Sequence, residues 1–283
     1  MPESPEVQAL ADALGERLAG RALTGVDVVE FRVVKTRTRP PDGLVGQHIE
    51  RVSRFGKLVD LGFSSGAHLV VSLGRHGWAR FGDGASTSTD APAAAEPPML
   101  ASLAFDDGGA VELTDAGGWV SLGCWVVDAP RDVPAIAKLG PDPADPSFSR
   151  ADFDRAFAGR RKQVKAVLQE QESLAGIGNA YSDEILFVAR LSPVAHAASL
   201  DDAELDRLFA ATVDVVRGAI DARRGIPIDR LKQAKVDAML VHGRTGEPCP
   251  GCGGVVQDFS FASTTAQYCP QCQTGGELLP LKG

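Results

Sequence analysis

Long hydrophobic runs are missing: no stretch approaches the roughly eighteen consecutive apolar residues of a membrane-crossing helix, and the first residues lack the basic-then-apolar pattern of a secretory leader. The expectation is a soluble, cytoplasmic protein with no membrane association. Positive charge is in short supply too. Against 37 Asp and Glu stand 29 Lys and Arg, a formal net charge of -8, so the chain lacks the overall basic character of many nucleic-acid binders. Net charge does not exclude a local field: Arg160, Arg161, Lys162 and Lys165 form a basic run, while Asp201, Asp202, Glu204 and Asp206 gather acid elsewhere. Any DNA face would be narrow. Cysteine is sparse as well, with five residues. Four of them fall in two Cys-x-x-Cys pairs near the C-terminus, which read better as metal ligands than as a disulfide framework. Cys124 is left over, expected as a small buried apolar residue.

What is present is ordinary globular composition, 283 residues of which 44% are apolar and 23% charged, enough for one large or two modest cores. Val7, Leu10, Ala11, Leu14 and Leu18 recur at three- and four-residue spacing, predicting a helix that ends near Gly20, with Ser4 and Pro5 at its cap and first turn. From Leu23 to Val127 the pattern turns to short alternating or apolar runs, at 24–29, 49–53, 57–63, 68–73 and 111–114, separated by glycine-rich breaks. These predict a sandwich or barrel. Residues 83–98, rich in Ala, Pro, Ser, Thr and Asp, are expected to form a mobile surface loop without assigned function. A Pro-rich stretch at 140–146 marks a linker, followed by helical periods at about 150–170, 180–190 and 200–222. From about Val241 the chain is short, rich in Gly and Cys, and too poor in apolar residues for its own core, so it should need a metal to fold.

The N-terminus carries candidate chemistry. Once Met1 is removed, Pro2 presents a secondary amine, a nucleophile able to form an iminium with a sugar aldehyde. An α-amino group has an ordinary pKa of roughly 8, and the positive end of the helix starting near Ser4 should lower it and leave the amine neutral. Glu3 and Glu6 flank that amine, and two carboxylates in different surroundings can divide acid and base roles. Glu3 is the expected proton-transfer residue. Taken alone, the segment also fits a plain helix start with acid in its first turn.

In Ala175-Gly176-Ile177-Gly178-Asn179-Ala180-Tyr181-Ser182-Asp183-Glu184, two glycines permit a tight turn that brings backbone amides close to an oxyanion, for which a phosphate is the natural ligand. A bare Gly-x-Gly between helices is equally a common structural device. Cys249, Cys252, Cys269 and Cys272 enclose sixteen residues between the two pairs, a spacing suited to a four-thiolate zinc ion on a β-hairpin. Such an ion has no open position, so zinc is expected to be structural. A redox dithiol pair or an iron-sulfur site are the alternatives.

The chain resembles the formamidopyrimidine-DNA glycosylase and endonuclease VIII (Fpg/Nei) family, on Pro2-Glu3-x-Pro5-Glu6 at its start, the segment 175–184, and the zinc module running from Val241-His242-Gly243-Arg244 to Gln273. The resemblance implies an α+β multidomain fold: an N-terminal helix plus antiparallel β-sandwich as catalytic domain (1–136), a linker (137–148), a helical helix-two-turns-helix DNA-binding domain (149–240), and a zinc-binding β-hairpin with tail (241–283). It implies that Lys57, within Arg54-Phe55-Gly56-Lys57, lies on a hairpin and contacts the phosphate beside the lesion, although a lone Lys there could equally cap a strand. It implies that Asn179 and Gly178 bind the DNA backbone and that Lys162 and Lys165 extend the positive strip.

Departures from the family pattern occur where the duplex would be held. Thr264 stands where members commonly carry a phosphate-gripping Arg; Ser263, Thr265 and Gln267 beside it are neutral donors. Arg75 replaces the void-filling Met, Gly117 replaces an inserted Arg, and Trp119 keeps an aromatic wedge or is a core aromatic. Residues 225–236 are short for a loop that caps 8-oxoguanine. The expected function is base-excision repair of damaged double-stranded DNA by a monomer that needs structural zinc and no small-molecule cofactor: glycosylase plus abasic-site lyase, through a Pro2 Schiff base assisted by Glu3, Glu6 and Lys57. The alternatives are a catalytically weak or inactive damaged-DNA-binding protein of the same fold, and a zinc-ribbon interaction module on an unrelated β domain.

Overall fold

In the computed structural model, which describes residues 1–83, 97–261 and 264–279, the apolar stripe from Val7 to Leu18 is buried along one side of helix α1 (Ser4–Leu18). Ser4 is its first helical residue, and the Ser4 N–H donates to the Gly176 carbonyl at 3.0 Å. By its contacts the chain divides into two compact units. One comprises Met1–Pro2, Glu6–Ala137 and Arg224–Leu231; the other comprises Glu3–Pro5, Lys138–Arg223 and Lys232–Gly283.

The first unit is a β-sandwich. Its strands are β1 (Leu23–Val28), β2 (Ile49–Phe55), β3 (Leu58–Phe63), β4 (His68–Ser72), β5 (Gly77–Asp83), β6 (Met99–Phe105), β7 (Gly109–Asp115) and β8 (Gly123–Val127). They form two four-stranded sheets, ordered β1-β6-β7-β5 and β2-β3-β4-β8, with every pairing antiparallel. The inward residues Val59, Leu61, Leu69, Val71, Leu103, Val111 and Leu113 join the α1 stripe in one core, to which Ile228 and Leu231 are added. Each such buried side chain contributes about 1.5–3 kcal/mol. The Trp78 indole N–H donates to the Ile228 carbonyl at 2.8 Å, which fixes 224–231 to the sandwich. Cys124 is buried there as an apolar residue, and burial pushes its thiol up to about 11. A four-residue helix, α2 (Pro134–Ala137), closes the unit. Residues 84–96 of the loop expected at 83–98 lie outside the described residues.

The second unit is helical, with α3 (Arg150–Phe157), α4 (Val164–Gln169), α5 (Asn179–Val188) and α6 (Asp202–Arg223). The single helical period expected at 150–170 is two helices. Ser149 and Asp152 form a capping box that starts α3, and Phe153 and Phe157 stack at 4.5 Å. The following Gly-Arg-Arg-Lys-Gln has no apolar residue to continue that buried stripe, so the chain turns before α4. Helix α7 (Leu231–Ala238) is short, and Leu231 is its sole buried residue. The C-terminal hairpin pairs β9 (Gln257–Phe261) with β10 (Thr264–Tyr268), from Thr264 opposite Phe261 to Tyr268 opposite Gln257, and leads into α8 (Pro270–Gln273). Val241, Cys249, Val256 and Cys269 form its small core.

Candidate functional site

The amides at the start of α5 are engaged by a carboxylate of the chain itself. The Glu3 side chain, 2% exposed, accepts from the N–H of Gly178, of Ala180 at 3.0 Å and of Tyr181 at 3.4 Å. These are donors that a helix start leaves without intrahelical partners, and a negative charge there is favoured by the helix dipole. The expectation that a phosphate takes these amides is therefore corrected in this state: the oxyanion is Glu3, delivered from 175 residues away in the chain. Gly178 makes the approach possible. Its backbone, at φ -129, is ordinary extended backbone, but an added Cβ would lie 2.6 Å from the Glu3 carboxyl carbon. The turn before it is pinned by Gln171, whose Oε1 accepts from Gly176 N–H at 2.9 Å while its Nε2 donates to the Ile177 carbonyl at 2.8 Å.

Around this clamp the helices are tied by polar contacts. Asn179 is half-buried, and its Oδ1 accepts from Gln169 Nε2 at 3.1 Å. Asp183 is buried between the Lys165 ammonium and His242 Nδ1, the latter at 2.7 Å. Lys165 thus does not extend a positive strip: its side chain is 5% exposed, and burial pushes its pKa below the ordinary lysine value even with Asp183 beside it. The basic run divides because Lys165 lies on the inward face of α4, whereas Lys162, in the turn before it, is exposed and paired with Glu170 at 2.8 Å. The residue after Asp183, Glu184, accepts from the N–H groups of Leu240, Val241 and His242 at 2.7, 3.0 and 2.9 Å. Burial raises its carboxyl pKa, and those amides offset part of the rise.

In the sandwich unit, Pro2 is buried behind an exposed Met1, and Glu6 is buried in the first turn of α1. Lys57 is half-buried in the two-residue turn between β2 and β3, on a hairpin as the sequence led us to expect. The two departure-bearing loops are built together. The Asp115 carboxylate, at the end of β7, accepts from the N–H of Gly117 (2.9 Å), Ser121 (2.8 Å) and Leu122 (3.2 Å) and from the Ser121 hydroxyl (2.9 Å). Burial works against ionisation of Asp115, and these donors outweigh it, holding the carboxyl below the usual carboxylate range. Ser121 Oγ in turn accepts from the Arg75 N–H at 2.9 Å. Gly74, at φ +60, must be side-chain-free, since a Cβ would stand 2.2 Å from the Ser121 carbonyl oxygen. The frame presents Arg75 exposed and Trp119 66% exposed, so Trp119 is no core residue.

Cys249, Cys252, Cys269 and Cys272 converge, with all four sulfur atoms within 4.8 Å of one another. The Cys249–Cys272 and Cys252–Cys269 separations are 3.9 and 3.4 Å. A tetrahedral zinc ion with Zn–S of about 2.3 Å places its sulfurs about 3.8 Å apart, so the donor set fits. Thr264 opens β10 by its backbone pairing, its side chain and Ser263 lying outside the described residues.

Comparison with known proteins agrees with this geometry. Residues 1–118 match the formamidopyrimidine-DNA glycosylase N-terminal domain, 139–229 the H2TH domain of the same glycosylase, and 246–275 the zinc finger found in FPG and IleRS. The class defined by fold and site is thus a sandwich, helix-two-turns-helix and zinc-hairpin protein, its four cysteines forming a structural zinc site. The formamidopyrimidine-DNA glycosylase of Mycolicibacterium gilvum (strain PYR-GCK) is 32% identical over 288 residues, covering 96% of this chain and 98% of its own. The MutM (Fpg) protein from Thermus thermophilus superposes with a TM-score of 0.79 at 28% identity, covering 96% of this chain and 99% of that one. Lactococcus lactis Fpg, solved in complex with an abasic site containing DNA, gives a TM-score of 0.83 at 25% identity with the same coverage. The chain belongs to the formamidopyrimidine-DNA glycosylase family.

Lys235 and Gln171 also belong to the site, as does Asp183 within the segment 175–184, through contacts that no local pattern marks. Lys235 Nζ lies 3.3 Å from Glu3 Oε1 across 232 positions of sequence, and no local pattern announces such a contact.

Proposed function

We propose that this protein is a base-excision-repair DNA glycosylase with abasic-site lyase activity that uses the amine of Pro2, freed by removal of Met1, as its nucleophile. The observation that carries the reading is the clamp on Glu3: the residue following the nucleophile is fixed by three backbone amides at the mouth of the helix-two-turns-helix segment. The Lactococcus relative solved with abasic DNA supports the choice of damaged duplex as substrate.

In this reading the Pro2 nitrogen attacks C1′ of the deoxyribose. The new N–C bond forms as the glycosidic C–N bond breaks, and the base leaves with a proton supplied through Glu3. The substituted sugar then loses the proline N–H proton and its C1′–O4′ bond opens, O4′ taking up a proton, which gives the iminium; that iminium acidifies C2′, and loss of the C2′ proton expels the 3′ phosphate by elimination. Lys57 contacts the phosphate beside the lesion, Glu6 supports the acid–base work, and Asn179 and Lys162 hold the DNA backbone, with Thr264 contributing a neutral contact from the zinc hairpin, while the Gly178 amide stays with Glu3. Arg75 and Trp119, presented by the Asp115 frame, fill the gap left by the extruded base.

Borohydride trapping tests this across duplexes carrying an abasic site, an oxidised pyrimidine or a formamidopyrimidine. The native protein is expected to become covalently linked to at least the abasic duplex, whereas Pro2→Gly and a form with extra residues before Pro2 are expected to lose linkage by at least roughly a hundredfold. Undiminished trapping by the extended form would overturn the assignment of the nucleophile. DNA binding without any trapping by native protein would establish the damage-binding alternative instead.

A further inference from the structure

Glu3 has a neighbour that the reading above leaves without a role. Lys235, on α7, places its ammonium 3.3 Å from Glu3 Oε1 and 4.9 Å from the centre of the Tyr181 ring, with its side chain 14% exposed. Tyr181 is itself buried and carries Arg223 near its ring at 5.7 Å. A lysine side chain gives up rotamer entropy when held in one place. Two directed contacts, an ion pair in a water-poor setting and a cation–π contact, offset that cost.

We propose that Lys235 is the positioning residue for Glu3: its ammonium, delivered by α7 and seated on the Tyr181 ring, keeps the Glu3 carboxylate charged and directed onto the start of α5. Groups that act on Glu3 include the Gly178, Ala180 and Tyr181 amides at the start of α5, Lys235 on α7, and Lys165 on α4, whose ammonium feels the Glu3 charge while paired with Asp183. The α-amino group lies one residue back in the chain. Among these, Lys235 makes its contact from a helix that has little apolar anchoring of its own, with Leu231 its one buried residue. Displacement of α7 would therefore release Glu3 from its cation while leaving the amide clamp in place. For its catalytic consequence this inference rests on the glycosylase reading, since Glu3 then moves the proton of base departure and Lys235 sets how readily it holds that proton.

The test separates the two. Carboxyl-13C NMR titration of Glu3, assigned with Glu3→Gln, is run on native protein, Lys235→Met and Lys235→Arg. Met keeps the apolar contact with Tyr181 and removes the charge, so the Glu3 midpoint is expected to rise by about one pH unit. Arg restores the cation and is expected to return the midpoint to its native value. In a base-release assay Lys235→Met is expected to move the Glu3-dependent limb of the pH–rate profile upward by the same interval, extending release on its alkaline side, with Lys235→Arg restoring the native limb. A Glu3 midpoint that does not move in Lys235→Met, or one that moves equally in Lys235→Arg, overturns the proposal whatever the assay shows. Failure of native protein to trap abasic DNA tells against the Pro2 chemistry and leaves the titration result standing on its own.

Discussion

Glu3 and Asp115 perform the same task in different units of the molecule, each gathering three backbone N–H groups onto one buried carboxylate. Asp115 gathers its donors locally, within seven residues, and through Ser121 ties its loop to the Arg75 turn. Glu3 works across the chain, with donors 175 to 178 residues away that belong to the first turn of a regular helix, and with a lysine as additional partner. A local clasp forms with its loop and costs little loop-closure entropy, whereas a long-range clamp is made only once the helical unit is in place. The end of the chain proposed to bear the nucleophile thus depends on contacts 175 to 178 residues away, whereas the Asp115 carboxylate of the surface proposed to meet the duplex gap draws its donors from its own loop.

The largest effect that would sharpen this contrast comes from removing zinc. Chelation forfeits on the order of 10 kcal/mol of metal-binding free energy. Hydrogen exchange should show loss of protection in β9 and β10 and in the Leu240–His242 amides held by Glu184. The Asp115-bound amides should stay protected; if they open together with the zinc hairpin, the clasp is not local. Next in size is Glu3→Ala, which strands the three amides and the Lys235 ammonium. It should cost about 3 kcal/mol in urea unfolding, and Glu3→Gln, which retains an acceptor oxygen, should cost less. Asp115→Ala should cost about 2 kcal/mol, with faster amide exchange at Gly117, Ser121 and Leu122. A cost equal to that of Glu3→Ala would erase the distinction between the two.

The smallest effect is the response to acid. Because the folded Asp115 carboxyl lies below its ordinary value, its contribution is present above the unfolded carboxylate pKa of about 3.9 and is lost as pH falls through the lower folded value. Protection of the Ser121 and Leu122 amides should therefore persist at pH 5 and fade only below about pH 3.9. Fading near neutral pH would show that Asp115 is not the group responsible.

How much of this was legible in the sequence depended on the range of the interaction. The four cysteines, the stripe of α1 and the double-glycine turn are local patterns with local physical causes, and each appears where expected. The amides at that turn were identified correctly as an oxyanion site, but a sequence offers no means of seeing that residue 3 supplies the oxyanion. Lys162 and Lys165 look alike in the basic run. Their opposite environments follow from the turn that separates α3 from α4 and from the inward facing of Lys165. Helix α7, eight residues long with one buried, leaves little local sign in the sequence, and the contact of Lys235 with Glu3 leaves none.

The narrow clearance at Gly178 has an evolutionary corollary. With only 2.6 Å between a would-be methyl group there and the Glu3 carboxyl carbon, positions 3 and 178 are not free to drift independently. Alanine at the second site requires the Glu3 carboxyl group to shift, so the effect of that substitution depends on the residue at the first. Alignments deep enough to resolve pairwise covariation should carry that signature across the entire intervening length of sequence.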